Sequence, residues 1–292
     1  MSKMKKHYKI FLLLGGIVLL IGVAFWQNNT RKIEEKRTSQ SYFSSAIEEA
    51  RKKEEEKRKE EEEKKRQEEE TKRFIATYGP CRNIPILMYH HIGEDTNWLF
   101  VKKETFTSQM DYLVQKGYQT VTLIDLVASL QSGQSLPSKP VVLTFDDGYR
   151  DFYQNAYPIL KTHNFKATLF VISQHVGGSE YVTWEQLREM IGSGLVTVGD
   201  HTLSHPSLPI LSEERLKDEV ISAKNILEAQ LGTTINVFSY PYGGSNGEVE
   251  KILKESGFIA AVTTKRGLSC AKLPYELPRI RIGNSPLSNY GL

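Results

Sequence analysis

The sequence predicts an α/β fold: a distorted (β/α) barrel of about seven strands, preceded by a transmembrane helix and a charged helical stalk. Beyond about residue 80, short apolar runs alternate with amphipathic stretches, which is the pattern of a parallel sheet with helices outside it. About seven such repeats favour a closed barrel over an open doubly wound sheet, and no G-x-G-x-x-G motif follows the first strand. Before residue 80, one apolar run and one charge-rich run occupy the chain, and neither can build a core.

The first 26 residues have the pattern of a membrane anchor. A basic tail, residues 1–9, precedes an apolar run, residues 10–26, which is at the short end of the length that spans a bilayer. The positive-inside bias places this tail in the cytoplasm and the rest of the chain outside the cell. Small residues at positions 22–24 resemble a cleavage site, so a secreted protein with a cleaved signal peptide is the alternative. We expect a single-pass protein of the cell membrane whose folded domain is extracellular.

Residues 27–80 form the predicted stalk or linker. Its segment 48–73 contains 12 acidic and 11 basic residues and is therefore almost self-neutral. Pairs such as Glu49 with Lys53 place the acidic residue four positions before the basic one, the order that supports a solvated helix. A disordered charged linker is the alternative. The segment has no apolar heptad stripe, so the sequence does not indicate a coiled coil.

The remaining residues, 81–292, are enough for one domain with a sizeable core. The formal net charge of the whole chain, +3, is too small and too dispersed to favour nucleic acid as a partner. Two cysteines, Cys81 and Cys270, lie near the ends of this domain without the spacing or neighbouring histidines of a zinc knuckle. In an extracellular protein they could form a disulfide, and two free thiols are the alternative.

The predicted barrel elements follow from the hydrophobic period. The predicted strands are 84–89, 141–145, 167–172, 195–198, 235–240, 258–262 and 280–282. The predicted helices are 105–116, 123–131, 151–163, 184–191, 213–231 and 248–256. Capping residues support two of the helix starts: Thr183, with Gln186 three residues later, and Ser212.

Polar clusters follow several predicted strands, at the end where a (β/α) barrel builds its active site. Asp146 and Asp147, followed by Gly148, end a buried strand, where carboxylates are costly unless something pairs with them. An ordinary Asp-Gly turn is the alternative. His201 and His205 have the i, i+4 spacing with which two imidazoles can bind one metal ion, although a pair of structural histidines has the same spacing.

Two further clusters are less specific when taken alone. Residues 239–244, Ser-Tyr-Pro-Tyr-Gly-Gly, follow another strand and could be a turn with an aromatic rim. His90 and His91 end the first strand, and single histidines in that position are more often structural.

In this order, the TFDDG, HTLSHP and YPYG segments resemble the motifs of the polysaccharide deacetylase (NodB-homology) family of carbohydrate esterases. The resemblance covers about residues 84–282, and the YHH segment resembles more narrowly the poly-N-acetylglucosamine deacetylase branch. It implies a metal-dependent hydrolase that removes N-acetyl groups from N-acetylglucosamine residues of a cell-surface or cell-wall polysaccharide and releases acetate. A non-catalytic sugar-binding homologue and an O-acetyl esterase are the alternatives. The polymer could be poly-N-acetylglucosamine, peptidoglycan or a wall-polysaccharide linkage.

The resemblance also implies roles for individual residues. Asp147, His201 and His205 would bind a divalent metal, usually zinc. Asp146 would be the general base that takes a proton from water, and His90 the general acid that protonates the leaving amine. Next to them, the Pro241-Tyr242 turn would contact the substrate, with the backbone N–H of Tyr242 holding the oxyanion.

One position departs from the family pattern. Many members carry an arginine two residues before the proline of the third motif, where it orients the catalytic aspartate, and this chain has Ser239 there. Arg279 and Arg281 share one face of the last predicted strand because side chains alternate along a strand. We expect Arg279 to take over the orienting role, with Arg281 as the alternative.

Overall fold

The computed structural model describes residues 2–292, and from residue 22 onward also their side chains, except those of residues 24, 33, 35, 39, 41, 45 and 46. The chain divides into two units, Met1–Lys72 and Arg73–Leu292. The predicted stalk is helical, since helix α1 runs over Ser2–Tyr78. Exposed i, i+4 ion pairs lie along it, including the predicted pair of Glu49 with Lys53 at 2.8 Å.

The predicted transmembrane anchor is not found. Within the part of the chain that the structure describes, no helix is both long enough and apolar enough to cross a membrane. This finding contradicts the expected single-pass membrane location and leaves the expected membrane contact without support. The predicted run, residues 10–26, is shorter than the roughly 20 residues that a spanning helix needs. The side chains of residues 10–21 and 24 lie outside the described residues.

The second unit alternates strands and helices. Its strands are β1 (Cys81–Arg82), β2 (Ile86–Tyr89), β3 (His91–Ile92), β4 (Phe100–Val101), β5 (Gln119–Thr120), β6 (Pro140–Phe145), β7 (Ala167–Val171), β8 (Val196–Asp200), β9 (Val237–Ser239), β10 (Ala260–Val262), β11 (Ser269–Cys270) and β12 (Ile280–Arg281). Its helices are α2 (Lys103–Gln115), α3 (Leu123–Ser132), α4 (Tyr157–His163), α5 (Trp184–Gly192), α6 (Glu213–Lys217), α7 (Ala223–Leu231) and α8 (Gly247–Glu255). A π-helical turn, Asp218–Ser222, joins α6 to α7.

Seven parallel strands form one curled sheet in the order β10-β9-β8-β7-β6-β2-β12, and β5 adds to β6. The segment before β12 links the two edges of this sheet. The N–H of Leu277 donates to Ala261 O at 3.0 Å and the N–H of Thr263 donates to Leu277 O at 2.9 Å, while β12 itself pairs with β2. All seven predicted strands are present, and the curled sheet they form is consistent with the predicted (β/α) barrel.

The strands and helices form for the reasons that the sequence suggests. β7 is buried along its whole length, as expected of a strand covered on both faces. Two predicted caps are confirmed. Thr183 and Gln186 form a capping box at the start of α5, and the Ser212 hydroxyl accepts the N–H of Arg215 at the start of α6.

The two cysteines are bonded to each other. Cys81 in β1 and Cys270 in β11 lie opposite one another in a two-stranded antiparallel sheet and form a disulfide across 189 residues of sequence. The bond fastens the start of the second unit to the segment that follows β10, and it excludes the alternative of two free thiols in this structure.

Candidate active site

The polar clusters that end β2, β6 and β8 meet in one cleft of about 340 Å³ at the carboxyl ends of the barrel strands. Seven of the residues singled out from the sequence line it: His90, Asp146, Asp147, His201, His205, Tyr242 and Arg281. Arg279 lies fully buried directly below Asp146. Pro241 is buried at the start of its turn and does not line the cleft.

Asp147, His201 and His205 are arranged as metal ligands. The Nε2 atoms of His201 and His205 lie 3.3 and 3.5 Å from Asp147 Oδ1, and all three ligand atoms are within 4.8 Å of one another. Metal–ligand bonds of about 2.0–2.2 Å in a tetrahedron place neighbouring ligand atoms about 3.3–3.6 Å apart, so the two distances match such a site. Two imidazoles and one carboxylate therefore fit a catalytic zinc-type centre.

Hydrogen bonds and local charge set the state of the two histidines. The Nδ1 of His201 lies 2.7 Å from Ser239 O, so Nδ1 donates and Nε2 keeps the lone pair that a metal needs. Burial, the largest single effect, lowers the pKa of His201, but the hydrogen bond to Asp147 and the negative charges of Asp146 and Asp147 together outweigh it and raise the pKa overall. For His205, burial and the neighbouring charge of His201 lower the pKa to about 4. This second ligand is therefore a neutral imidazole at neutral pH.

Asp146 is held by a bidentate ion pair. The Nη1 and Nη2 atoms of Arg279 donate to Asp146 Oδ1 and Oδ2, each at 2.7 Å. Burial on its own would raise the pKa of this carboxyl, but the charges of Arg279 and His201 outweigh burial and hold the pKa well below its usual range. Asp146 is consequently ionised and fixed in orientation.

The remaining donors of Arg279 are also occupied. Its Nε donates to Thr263 O at 2.9 Å, Nη1 also reaches Thr144 Oγ1, and Nη2 reaches Ser239 Oγ at 3.1 Å. The Ser239 hydroxyl in turn donates to Asp146 at 3.3 Å. At the position where the family pattern has an arginine, the small Ser239 side chain adjoins a guanidinium that arrives from the segment before β12 instead.

The two neighbouring histidines, His90 and His91, lie in different surroundings. The Nε2 of His90 lies 4.0 Å from Asp146 Oδ2 inside the cleft, and burial is the main cause that lowers its pKa. His91 hydrogen bonds Asp151 at 2.6 Å and is stacked between the rings of Phe100 and Tyr149. Opposite orientation of neighbouring side chains on a strand accounts for the difference.

Backbone conformation at this cleft is unusual. Asp147, Thr202, His205 and Tyr242 all have positive φ, between 59° and 72°, and they are four of the five non-glycine residues of this kind within residues 2–292. Each such conformation costs about 1–3 kcal/mol and persists only where the surroundings hold it. The concentration of this strain in one cleft is typical of a functional site.

The turn after β9 depends on a glycine. Gly243 has a φ of 76°, and a Cβ at this position would overlap the side chain of Thr264. The close approach keeps the turn against the barrel and leaves the Tyr242 side chain 72% exposed, with its ring 4.8 Å from that of His205.

Comparison with known proteins identifies the family. A family model described as polysaccharide deacetylase matches residues 133–261. YxkH of Bacillus subtilis (strain 168), whose name provisionally assigns it to the polysaccharide deacetylases, is 35% identical over 213 residues that cover 73% of this chain and 75% of YxkH. The chain belongs to the polysaccharide deacetylase family. As a deacetylase of this family, it is a hydrolase that acts on amide bonds.

Two further relatives carry more specific names. The deacetylase PplD of Streptococcus pyogenes, solved in complex with acetate, has a TM-score of 0.67 and 32% identity, over 72% of this chain and 97% of PplD. The poly-beta-1,6-N-acetyl-D-glucosamine N-deacetylase of Escherichia coli (strain K12) is 27% identical over 71% of this chain, which spans only 38% of that longer protein.

Sequence reasoning missed several residues of this deacetylase site. Glu219, in the π-helical turn, is fully buried and accepts both the N–H and the hydroxyl of Ser204, within the loop that carries the two histidines. A charged residue in the middle of an apolar helical stripe was the available signal. Trp98 reaches the cleft from an irregular loop, and no local pattern marks it.

Proposed function

We propose that this polysaccharide deacetylase removes N-acetyl groups from N-acetylglucosamine residues of a cell-surface or cell-wall polysaccharide and releases acetate, using a divalent metal held by Asp147, His201 and His205. The observation that carries the proposal is the position of these three ligands beside an ionised, immobilised Asp146 in one open cleft. The name of the Escherichia coli relative supports a β-1,6-linked N-acetylglucosamine polymer as the substrate to try first.

The donor set favours zinc. Two neutral imidazole nitrogens and one carboxylate oxygen make a catalytic zinc set, which leaves coordination positions open for water and substrate. When bound, such a metal lowers the pKa of a water molecule and polarises the acetyl carbonyl.

The proton transfers are assigned to residues of the chain itself. Asp146 accepts the proton of the attacking water, and its pairing with Arg279 keeps it ionised and aimed into the cleft. His90, 4.0 Å from Asp146, is placed to protonate the amine as it leaves. The backbone N–H of Tyr242, at the cleft rim, is the proposed donor to the oxyanion.

The test is acetate release from β-1,6-linked N-acetylglucosamine oligomers, measured after chelation and again after one equivalent of zinc is restored. We expect release to stop with the chelator and to return with zinc. Retained release in the metal-free protein would contradict the metal dependence. Release only from O-acetylated oligomers would favour the esterase alternative, and tight oligomer binding without any release would favour the sugar-binding alternative.

A further inference from the structure

A tryptophan and an arginine that the proposed chemistry does not use line the mouth of the cleft. The guanidinium carbon of Arg281 lies 4.2 Å from the centre of the Trp98 ring, and both side chains line the cleft. Trp98 is 64% exposed, although a large aromatic side chain would gain from burial. The pair is thus a cation stacked on an aromatic ring, and a ligand bound in the cleft can contact both side chains.

The position of Arg281 follows from that of Arg279, which directly precedes β12. Two residues along a strand return the side chain to the same face about 7 Å further on. Arg279 is therefore buried under Asp146, and Arg281 stands on the same side of β12 nearer the solvent, at the rim.

The charges of the two arginines are balanced differently. Arg279 is neutralised by a bidentate contact with Asp146. Within the second unit, residues 73–292, by contrast, no carboxylate oxygen lies within 4 Å of the Arg281 guanidinium, and the guanidinium donates no hydrogen bond there. A planar guanidinium whose donors have no acceptor within this unit is suited to bind a carboxylate or a phosphate in bidentate fashion.

We propose that Trp98 and Arg281 form a subsite for an acidic substituent, a carboxylate or a phosphodiester, carried by the polymer next to the sugar that is deacetylated. The inference rests on the proposed function and narrows it from neutral N-acetylglucosamine polymers to acidic ones. Stacking on Trp98 orients the guanidinium, and its N–H edge remains available to the anion.

The same subsite has a consequence for the product. Each deacetylation leaves a sugar amine that is protonated at neutral pH, and Arg281 repels that positive charge. A polymer already deacetylated at the neighbouring sugar is therefore a poor substrate, and the enzyme leaves deacetylated sugars spaced along the chain.

The test uses one N-acetylglucosamine trisaccharide prepared with four end groups: a neutral methyl group, a carboxymethyl group, a methyl phosphodiester and an aminoethyl group. Each group is placed at the reducing end in one set and at the opposite end in another. For the wild-type protein loaded with zinc, we expect kcat/KM for at least one acidic form to exceed that of the neutral form about 5-fold, because exposed ion pairs contribute modestly. The carboxylate and phosphodiester arms show which acid is preferred.

Three variants then locate the effect. Arg281→Gln should bring the acidic-to-neutral ratio to about one and Arg281→Glu should invert it, whereas Trp98→Ala should reduce it about 2- to 5-fold by releasing the stacked guanidinium. Lys161→Gln is the matched control, since it removes a cation stacked 4.6 Å from the Tyr157 ring on α4, outside the cleft. The ratio should keep its wild-type value in that control.

The possible failures are distinguishable. If the wild-type protein releases no acetate from any trisaccharide, the proposed function itself is wrong. If it releases acetate with equal kcat/KM from acidic and neutral forms in both sets, or if Arg281→Gln keeps the preference, the subsite is overturned while the proposed function stands.

Discussion

Arg279 joins the barrel to the chemistry of the cleft through one side chain. It is fully buried, its guanidinium contacts Asp146, Thr144 and Ser239, and its Nε reaches a backbone carbonyl. Removing one partner of a buried ion pair costs about 3–5 kcal/mol because the other charge is left unpaired. In Arg279→Ala, a lower rate of acetate release could therefore come from a less stable fold or from impaired catalysis. A substitution that keeps the positive charge separates these two causes better.

For Arg279→Lys we expect slower acetate release and an acid limb of the pH–rate profile that moves to higher pH. The bidentate pair holds the pKa of Asp146 below its usual range, and a lysine can make only a weaker single contact, so the pKa rises. Because the base works only when it is ionised, activity is then lost at a higher pH as the solution is acidified. The pH–rate profile and the zinc content of the same sample measure this.

A second variant tests whether a guanidinium from another position can replace that of Arg279. Adding Ser239→Arg to Arg279→Ala restores a guanidinium at the position where the family pattern carries one, and should recover part of the rate. An acid limb unchanged in Arg279→Lys, with full zinc content, would show that Arg279 does not govern the base.

His90 and His91 form a natural pair for comparison. His90→Gln should retain zinc but release acetate about 10²- to 10⁴-fold more slowly, the usual contribution of a general acid, and lose the basic limb of its profile. His91→Gln is the comparison variant, since His91 bonds Asp151 and does not itself line the cleft, although it stacks on Tyr149, which does. A normal rate in His90→Gln together with an inactive His91→Gln would reverse the assignment.

At the scale of elements, the loop after β8 carries the two proposed histidine ligands, of which His205 has a positive φ, and hydrogen bonds hold this loop in place. The Thr202 hydroxyl accepts the N–H of His205 at 2.9 Å, while Glu219 accepts the N–H of Ser204 at 2.8 Å. Arg215 pairs with Glu219 on the other side at 2.5 Å. The π-helical turn that carries Glu219 places this carboxylate under the loop, and such turns are frequent at functional sites.

Glu219→Gln should therefore weaken zinc affinity about 10- to 100-fold, as loss of an outer hydrogen bond typically does, since a neutral amide supports the loop less well than a carboxylate. Titration with zinc in the presence of a competing chelator measures the Kd. Glu213→Gln is the matched control, because Glu213, six residues earlier, makes an exposed pair with Lys217 at 2.6 Å. Equal zinc affinity in both variants would mean that Glu219 only stabilises the fold.

The elements differ in how far the sequence could predict them. The barrel strands were predictable because each is a short apolar run between amphipathic helices. The contact of Arg279 with Asp146 was also predictable, because Ser239 stands where the family pattern has an arginine and another arginine was expected to replace it. The π-helical turn inside the predicted helix 213–231 could not be predicted from the sequence. Its extra residue is stabilised by the buried contacts of Glu219 and not by a local sequence pattern. Trp98 reaches Arg281 across 183 positions, through a loop without periodicity.

At the scale of the whole molecule, the disulfide lies outside the cleft and is expected to stabilise the fold without contributing to the site. Cys81 and Cys270 join β1 to β11, neither of which lines the cleft, and their bond closes a loop of 189 residues in the unfolded chain. In a protein expressed under oxidising conditions, Cys81→Ser with Cys270→Ser should lower the Tm by roughly 5–10 °C, because a disulfide stabilises by about 2–4 kcal/mol. Zinc content should remain one per chain. An unchanged Tm, or loss of zinc in the folded variant, would contradict this separation of roles.

The central assignment is that Asp146 is the general base and Asp147 a metal ligand. It is tested most directly by measuring zinc content and acetate release on the same preparations of Asp146→Asn and Asp147→Asn. Asp146→Asn should keep about one zinc per chain while its rate falls about 10²- to 10⁴-fold, because only the base is lost. Asp147→Asn should lose zinc and activity together, because one of three ligands is weakened. Loss of zinc from Asp146→Asn with retention in Asp147→Asn, or full zinc and full activity in either variant, would contradict the assignment of base and metal ligand.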